Sequence, residues 1–141
     1  MNDMIIGIGC DIIDIDRIGK SIQKESFVRR VYTAAEQDMS GSKASFYADN
    51  FAVKEAVSKC FGTGIRGFSL TDIECLRDEL GKPYVVLHGK ALEKAVAMGI
   101  GDIQVSISNT ACQSMAFAIA QQEGECGFRE KGSYGEADEK R

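Results

Sequence analysis

Several features that would indicate common classes of protein are missing from this chain of 141 residues. It has a single histidine, His88, and its five cysteines include no Cys-x-x-Cys pair, which together argue against a zinc site. No apolar stretch approaches the length that crosses a membrane, so no membrane partner is expected. The formal net charge is −4 and no basic run contains interleaved aromatic residues, which argues against a nucleic-acid partner.

The start of the chain lacks the pattern of a signal peptide. Asp3 precedes the first apolar run, and Asp11 interrupts that run soon afterwards. An odd number of cysteines without paired spacing is typical of reduced thiols, and free cysteine usually lies in a core. We therefore expect a cytoplasmic protein, and its length suits one domain with a modest core.

Residues 51–64 form the most informative stretch. Their sequence is FAVKEAVSKCFGTG, and a helix with this pattern is apolar around most of its girth, as buried helices are. Glu55, Ser58, Lys59 and Gly62 recur at i, i+3, i+4 and i+7, which places them on one narrow face. Because an unpaired buried charge is costly, this stripe predicts a polar partner. The alternative is a solvated Glu55–Lys59 pair, worth about 0.2–0.5 kcal/mol.

The N-terminal segment supplies a second element. Residues 4–13, MIIGIGCDII, are rich in isoleucine and predict a strand. Gly7, Gly9 and Asp11 share one face by the two-residue period of a strand. The two glycines leave that face bare, so another group can pack closely against it. Asp11 either belongs to a site on this face or begins the turn into the next helix, and the residues alone leave both open.

A basic segment follows the first strand. Residues 14–24 predict a short helix that Asp14 or Asp16 can cap. Residues 16–31 hold five basic and two acidic side chains, a local charge of 5 − 2 = +3, which suggests an acidic partner. The alternative is an ordinary solvated face. The basic residues are Arg17, Lys20, Lys24, Arg29 and Arg30.

The remaining pattern has no regular alternation of strands and helices. It predicts an α+β fold with a mainly antiparallel sheet and a long central helix. The sequence TAAE at 33–36 is a capping-box pattern that starts a helix near Ala34, and Ser42 or Ser45 is expected to cap the long helix. Two hairpins separated by a helix follow. The predicted strands are 73–77, 83–88, 102–108 and 115–120, and the helix is 90–98.

The chain divides into a domain and a tail. Residues 1–121 carry the apolar pattern of a folded core. Residues 122–141 are charged, rich in glycine and poor in core-forming side chains, so we expect them to be disordered.

Three stretches together resemble one family: GIGCDIIDIDRI at 7–18, FAVKEAVSKCFGTGI at 51–65 and VSISNT at 105–110. They are similar to the holo-acyl-carrier-protein synthases, the small 4′-phosphopantetheinyl transferases, over about residues 4–121. The resemblance implies transfer of 4′-phosphopantetheine from coenzyme A to a serine of apo acyl carrier protein, with release of adenosine 3′,5′-bisphosphate. It also implies a need for Mg²⁺ and a homotrimer with an active site at each subunit interface.

The resemblance assigns the transfer chemistry to three residues. Asp11 and Glu55 match the metal carboxylates, and Lys59 matches the lysine that faces the reacting phosphate. This fits the preference of Mg²⁺ for one or two carboxylates together with substrate phosphates and water. The metal and Lys59 would stabilise charge that builds up during phosphoryl transfer. Either Glu55 or a water beside Asp11 takes the serine proton, and the sequence does not choose between them.

The resemblance also assigns two binding surfaces. Residues of the glycine loop and of the VSISNT motif match those beside the nucleotide, and basic residues of the first helix match the surface that meets the carrier protein. The nucleotide set is Lys59, Gly62, Thr63, Gly64, Asn109 and Thr110, and the docking set is Arg17, Lys20 and Lys24. The apolar girth of the long helix further predicts that part of its surface lies at the subunit interface.

Two positions depart from the family pattern. The family often has arginine at Asn50 and histidine at Asn109, where both usually help to hold the nucleotide end of coenzyme A. Lys43 or a residue of another protomer can compensate. These departures leave open a chain that binds coenzyme A or a carrier without transfer. A different Mg²⁺-dependent enzyme acting on phosphate esters with the same two carboxylates is the other alternative.

Overall fold

The computed structural model of this chain describes residues 4–122. Its elements are β1 Ile5–Asp14, α1 Ile15–Ser21, α2 Glu25–Val31, α3 Ala34–Ser40, α4 Ala44–Cys60, a 3₁₀ turn Leu70–Asp72, β2 Ile73–Arg77, β3 Pro83–Leu87, α5 Gly89–Ala97, β4 Ile100–Asn109 and β5 Gln113–Gln122. One antiparallel sheet has the order β1–β5–β4, and β2 and β3 form a separate hairpin.

The predicted α+β class, the antiparallel sheet and both hairpins are confirmed. The strands β4 and β5 run further than predicted, because β5 pairs with β1 and β4 along almost its whole length. Gln122 therefore belongs to β5, and the rest of the predicted tail lies outside the described residues. The helix α2 was not predicted, since its segment reads only as a charged stretch. Among residues 4–122, every helix is too short or too polar to cross a membrane.

The long helix α4 lies against the bare face of β1. A Cβ atom on Gly9 would stand 2.0 Å from the Ala56 carbonyl oxygen, and one on Gly7 would stand 2.1 Å from that of Cys60. Real Cβ atoms do not approach backbone oxygens so closely, so only glycine permits this packing. The predicted close approach to the glycine face is confirmed, and the partner is the central helix.

The apolar side of α4 is covered within the protomer. Ala52, Val53, Ala56 and Val57 are fully buried, because the three-stranded sheet, α1 and β2 surround the helix. Little apolar surface of this helix is therefore left for a subunit interface, and the expectation that part of it lies there stays a prediction. A helix that is apolar around its girth needs cover on several sides, and this small domain supplies that cover itself.

The exposed apolar surface lies instead on the far face of the sheet. Side chains of β1 and β5 that point away from α4 leave Ile8 58%, Ile12 59% and Phe117 38% exposed. In the pairing register, Ile12 lies opposite Met115 and Cys10 lies opposite Phe117, so these side chains form one continuous patch. We call Ile8, Cys10, Ile12, Met115 and Phe117 the outer sheet patch.

The capping box at the start of α3 is confirmed, and its acid is buried. The Thr33 side chain accepts a hydrogen bond from the Glu36 amide, and the Glu36 side chain accepts one from the Thr33 amide. The predicted caps of α4 are wrong, whereas Asp14 stands at the predicted cap position of α1. Ser42 adopts a left-handed conformation in the turn before α4, Ser45 already lies inside that helix, and Lys43 occupies the cap position without a side-chain bond. Asp14 occupies the cap position of α1, but its carboxylate accepts from Gln113.

A buried ion pair that the sequence did not reveal joins α4 to α3. Lys54 and Glu36 are both fully buried, with their Nζ and Oε1 atoms 2.8 Å apart. The Lys54 ammonium also donates to the carbonyl oxygens of Leu70 and Ile73, at 3.0 and 2.5 Å. Burial lowers the pKa of Lys54, and the neighbouring Glu36 carboxylate opposes that change. All three ammonium hydrogens therefore have acceptors.

The glycine face generates a stability prediction. Gly9→Ala forces a methyl group into the backbone of α4 and should destabilise the protein by about 1–3 kcal/mol or more. Gly19→Ala is the matched control, because its Cβ would lie 3.5 Å from that of Ala44, an ordinary contact inside helix α1. The control should stabilise by about 0.5–1 kcal/mol. Urea unfolding measures both, and equal stability of Gly9→Ala and the wild type would contradict the packing.

Candidate active site

The residues predicted for transfer chemistry meet where α4 crosses β1. Lys59 of α4 places its Nζ atom 3.5 Å from the Asp11 carboxylate and donates to the Cys10 carbonyl oxygen at 2.8 Å. Among the described residues, the ion pair of Lys59 is with Asp11, so a pair across two elements stands where the alternative reading had a Glu55–Lys59 surface pair. Asp11 lies within β1 and does not begin the turn into α1.

The glycine packing explains why these side chains meet. A Cβ atom on Gly9 would stand 2.0 Å from the Ala56 carbonyl oxygen and 2.8 Å from the Lys59 Cβ atom, so this turn of α4 lies directly against β1. Asp11 follows Gly9 by two residues and so shares its face of the strand. Glu55 precedes Ala56 and lies half-buried close enough to Asp11 for the two charges to interact.

The surroundings of Asp11 and Glu55 disfavour the charged forms of both carboxylates. Burial raises the pKa of Asp11, and the Lys59 ammonium only partly opposes this, with a smaller opposing effect from Arg17. Burial also raises the pKa of Glu55, the negative charge of Asp11 raises it further, and Lys59 opposes both effects. Two like charges in a partly dehydrated site favour proton uptake or cation binding.

The donor set fits Mg²⁺ better than a transition metal. Within residues 4–122, no cluster of three or more histidine, cysteine, aspartate or glutamate side chains is suited to hold a metal. Two carboxylates alone suit Mg²⁺, which completes its shell with water and substrate phosphates. A structural zinc site takes four protein ligands, usually cysteine or histidine, and such a set is missing from this part of the chain.

The glycine loop after α4 has an open backbone. Gly62 and Gly64 adopt φ angles of 79° and 69°, and a Cβ atom at either position would meet no other atom within 4 Å. Thr63 accepts a hydrogen bond from the Lys94 ammonium at 2.8 Å, which ties the loop to α5. The predicted left-handed end of the helix is confirmed, and Lys94 is a cation at this loop that the sequence did not reveal.

The residues predicted at the other end of the nucleotide site lie apart from that loop. Asn109 donates to the Asp49 carboxylate at 2.8 Å, and Asp49 also accepts from Ser114. The Thr110 hydroxyl accepts the amides of Cys112 and Gln113 and so belongs to the β4–β5 turn.

The helix α4 separates these two halves. Asp49 and Cys60 lie about 16 Å apart along α4, at 1.5 Å per residue. Asn109 is therefore bound near one end of the helix, whereas Gly62, Thr63 and Gly64 follow its other end. One protomer does not bring the predicted nucleotide residues together.

The departure at Asn50 is explained by the interior of the protein. Its side chain is fully buried and donates to the Glu36 carboxylate and to the Cys75 carbonyl oxygen, at 2.8 and 2.9 Å. The Arg77 guanidinium donates to Asn50 at 2.8 Å and lies over the Phe46 ring. Asn50 is therefore a buried polar residue of the core. The arginine that contacts it is Arg77, which lies in β2.

Three polar residues of the site region were missed from the sequence: Asp49, Lys54 and Lys94. Lys54 carried a usable signal, since it lies among Ala52, Val53, Ala56 and Val57 with apolar neighbours on both sides. Asp49 and Lys94 carried none, because each is an ordinary charged residue of a helix whose partner is distant in sequence.

The basic segment forms an exposed surface on α1 and α2. Arg17, Lys20 and Lys24 are exposed, whereas Arg29 pairs with Glu25 and Arg30 lies over the Phe27 ring. A surface groove of about 470 Å³ runs beside this segment. Its lining consists of Lys20, Ser21, Lys24, Ser26, Phe27 and Arg30.

Comparison with known proteins identifies the family. Residues 7–119 match the model of the 4′-phosphopantetheinyl transferase superfamily. The holo-[acyl-carrier-protein] synthase of Fusobacterium nucleatum is 48% identical over 120 residues, covering 83% of this chain and 98% of its own. That of Lachnoclostridium phytofermentans is 46% identical over 118 residues, covering 84% and 97%.

Solved structures agree with the sequence comparison. The holo-[acyl-carrier-protein] synthase of Neisseria meningitidis superposes with a TM-score of 0.76 at 36% identity, over 84% of this chain and 100% of that one. That of Helicobacter pylori, in complex with coenzyme A, gives a TM-score of 0.72 at 33% identity, over 80% and 98%. The matched family region contains Asp11, Glu55 and Lys59. This chain therefore belongs to the holo-[acyl-carrier-protein] synthase family of the 4′-phosphopantetheinyl transferase superfamily.

Proposed function

We propose that this protein transfers 4′-phosphopantetheine from coenzyme A to a serine hydroxyl of an apo acyl carrier protein and releases adenosine 3′,5′-bisphosphate. The observation that carries the proposal is the cluster of Asp11, Glu55 and Lys59 at the crossing of β1 and α4. The bound coenzyme A of the Helicobacter pylori relative supports coenzyme A as the donor. The buried role of Asn50 removes one reason to think of a chain that binds without transfer.

In this proposal each residue of the cluster has a role. Asp11 and Glu55 would hold Mg²⁺, which when bound would supply positive charge to the diphosphate of coenzyme A. Lys59, half-exposed beside them, offers an ammonium group to the reacting phosphate. The serine oxygen forms a bond to the β-phosphorus as the bond to the bisphosphate oxygen breaks. The serine proton passes to Glu55 or to a water beside Asp11 as the new bond forms.

We assign carrier docking to the exposed basic surface of α1. Within residues 4–122, Arg17, Lys20 and Lys24 have no ion pair or ring contact of the kind that occupies Arg29 and Arg30. Acyl carrier proteins are acidic, so opposite charges would draw the two proteins together and orient them. Arg17 also lowers the pKa of Asp11 slightly, which places this surface next to the reacting centre.

We also propose a homotrimer with an active site at each subunit interface. The outer sheet patch is apolar and continuous, as a surface covered by another subunit would be. The separation of Asn109 from the glycine loop supports the same assembly, because a neighbouring protomer would supply the missing half of a nucleotide site. Three copies per assembly follow from the family resemblance.

We assign the protein to the cytoplasm. Cys10 and Cys112 are exposed and Cys60 and Cys75 are buried, and all four are free thiols. Exposed free thiols persist where cellular reductants keep them reduced. Neither exposed cysteine is needed for the chemistry proposed.

The direct test of transfer is the mass of the carrier. The full chain is incubated with coenzyme A, Mg²⁺ and an apo acyl carrier protein, and the carrier is then weighed by mass spectrometry. We expect a gain of one phosphopantetheine group and release of adenosine 3′,5′-bisphosphate. A carrier of unchanged mass, with correctly folded enzyme, would overturn the proposed function.

The first prediction concerns the metal and pH. At ten times its dissociation constant, Mg²⁺ should stabilise the wild type by about 1.4 kcal/mol, and Glu55→Gln should lose this gain. Without metal, Glu55→Gln should be more stable than the wild type at pH 7. The pKa of Glu55 is raised in the folded protein, so the stability of the wild type falls as pH rises through that pKa, whereas glutamine stays neutral. That difference should vanish below pH 4.5, the ordinary value for the group.

Unfolding by urea with and without Mg²⁺, at several pH values, measures these effects. Glu93→Gln, an exposed glutamate of α5, is the matched control and should respond to Mg²⁺ as the wild type does. Equal stabilisation of Glu55→Gln and the wild type by Mg²⁺ would refute the metal assignment.

The second prediction concerns docking. Lys24→Glu should raise the KM for the carrier about tenfold, which corresponds to about 1.4 kcal/mol. The effect should shrink with added salt, since exposed charges are screened over about 8 Å at physiological ionic strength. Lys24 is a cleaner choice than Arg17, whose charge also acts on Asp11.

Steady-state kinetics with varied carrier, beside calorimetry with coenzyme A, separates docking from nucleotide binding. The control Lys90→Glu makes the same charge change on α5 and should leave the KM for the carrier unchanged. If Lys24→Glu weakens coenzyme A and the carrier equally, the surface supports the nucleotide site instead.

The third prediction concerns assembly. Phe117→Glu places a charge in the outer sheet patch and should convert the trimer to monomers, because an unpaired charge is costly to bury. Leu80→Glu is the control, since Leu80 is also apolar and 94% exposed but lies in the β2–β3 turn. Light scattering measures the molar mass, and a wild type that is an active monomer at micromolar concentration would contradict the proposal.

A further inference from the structure

The apolar side chains of α4 do not by themselves fix the rotation of the helix about its own axis. Ala48, Ala52, Val53, Ala56 and Val57 are fully buried around it, and most of them are small. Successive residues of a helix lie 100° apart, so a modest rotation would exchange one small apolar face for another. The same rotation would carry Glu55 away from Asp11. Another interaction must therefore set the orientation of the helix.

A buried polar stripe on α4 supplies a directional contact. Asn50, Lys54 and Ser58 recur every fourth residue and are all buried. The Lys54 ammonium donates to Glu36, to the Leu70 carbonyl of the 3₁₀ turn and to the Ile73 carbonyl at the start of β2. Ser58 donates to the Lys54 carbonyl oxygen at 2.8 Å. The stripe thus faces α3 and β2, whereas Glu55 lies close enough to Asp11 of β1 for their charges to interact.

The acceptor that faces this stripe, Glu36 of α3, is itself held by four donors. One oxygen of Glu36 accepts from Lys54 and from the Thr33 amide, at 2.8 and 2.9 Å. The other accepts from Asn50 and from the Cys75 amide, at 2.8 and 3.1 Å. Rotation of α4 would leave a buried carboxylate and a buried ammonium without partners, which is far more costly than sliding one methyl group past another.

We infer that Glu36 and Lys54 are positioning residues: their buried ion pair fixes the rotation of α4 and thereby aims Glu55 at Asp11. The glycines of β1 set how closely the helix approaches, and the polar stripe sets which face it turns to the strand. Because Glu55 is assigned to Mg²⁺ only by the proposed function, the positioning role rests on that proposal.

A purely structural pair and a positioning pair predict different results. Replacing both partners of a buried ion pair with apolar or neutral groups is often tolerated by the fold, whereas removing one partner is not. The double variant Glu36→Gln/Lys54→Met removes both charges while keeping side chains of similar length. If the pair only stabilises, metal binding by the folded double variant is normal; if it positions, metal binding weakens while the fold is retained.

The test measures Mg²⁺ affinity by calorimetry on the full chain, without coenzyme A or carrier. We expect the double variant to bind Mg²⁺ at least tenfold more weakly than the wild type, with an unchanged circular dichroism spectrum. In turnover its kcat should fall at saturating Mg²⁺, whereas its KM for the carrier should stay within twofold, because the docking residues lie on α1.

Two further variants keep the result interpretable. Val85→Ala removes buried apolar volume in β3, away from the stripe, and should lose stability while binding Mg²⁺ within twofold of the wild type. Asn50→Ala trims one donor to Glu36 without removing a charge and should weaken Mg²⁺ binding about threefold. This milder variant decides the matter if the double variant does not fold.

The outcomes separate the positioning role from the function on which it rests. A wild type that binds Mg²⁺ and a folded double variant that binds it equally well would overturn the positioning role alone. Normal Mg²⁺ affinity in Asn50→Ala beside an unfolded double variant would overturn it as well. A wild type whose Mg²⁺ affinity matches that of Asp11→Asn would overturn the proposed metal site, and the positioning role with it.

Discussion

The close approach of α4 to β1 is the constraint on which the rest of the structure depends. Two glycines on one face of the strand let helix backbone lie where side chains would otherwise stand. The residue that continues this face is Asp11, and the helix residues beside the contact are Glu55 and Lys59. A packing requirement and a chemical requirement are therefore met by one local arrangement, since the strand that admits the helix also carries the first carboxylate.

Asp11 and Glu55 lie close together although their negative charges repel each other. Burial and mutual repulsion raise the pKa of the paired carboxylates, so the metal-free site is less favourable than neutral side chains would be. The polar stripe of α4 offsets the tendency of these groups to separate, because Lys54 and Glu36 lose their partners if the helix turns. The same feature explains why the chain has asparagine at position 50, which serves the core.

Patterns that are local in sequence predicted the structure well, and contacts that are distant in sequence could not be predicted. The glycine face of β1, the capping box at Thr33 and both hairpins each depend on a few neighbouring residues. Lys54 pairs with Glu36, which is 18 positions away, and no sequence pattern around Lys54 indicates a carboxylate partner. The interface was expected on α4 because that helix is apolar all round, but most of its apolar side chains are buried within the protomer, whereas Ile8 and Ile12 on the far face of β1 are exposed.

The central claim is that the crossing of β1 and α4 forms a site for one divalent cation. The most direct measurement is the anomalous scattering of Mn²⁺, used in place of Mg²⁺, in crystals grown with coenzyme A. We expect one anomalous peak for each active site, within bonding distance of the Asp11 and Glu55 carboxylates. A peak bound elsewhere, or no peak while coenzyme A is present in the site, would contradict it.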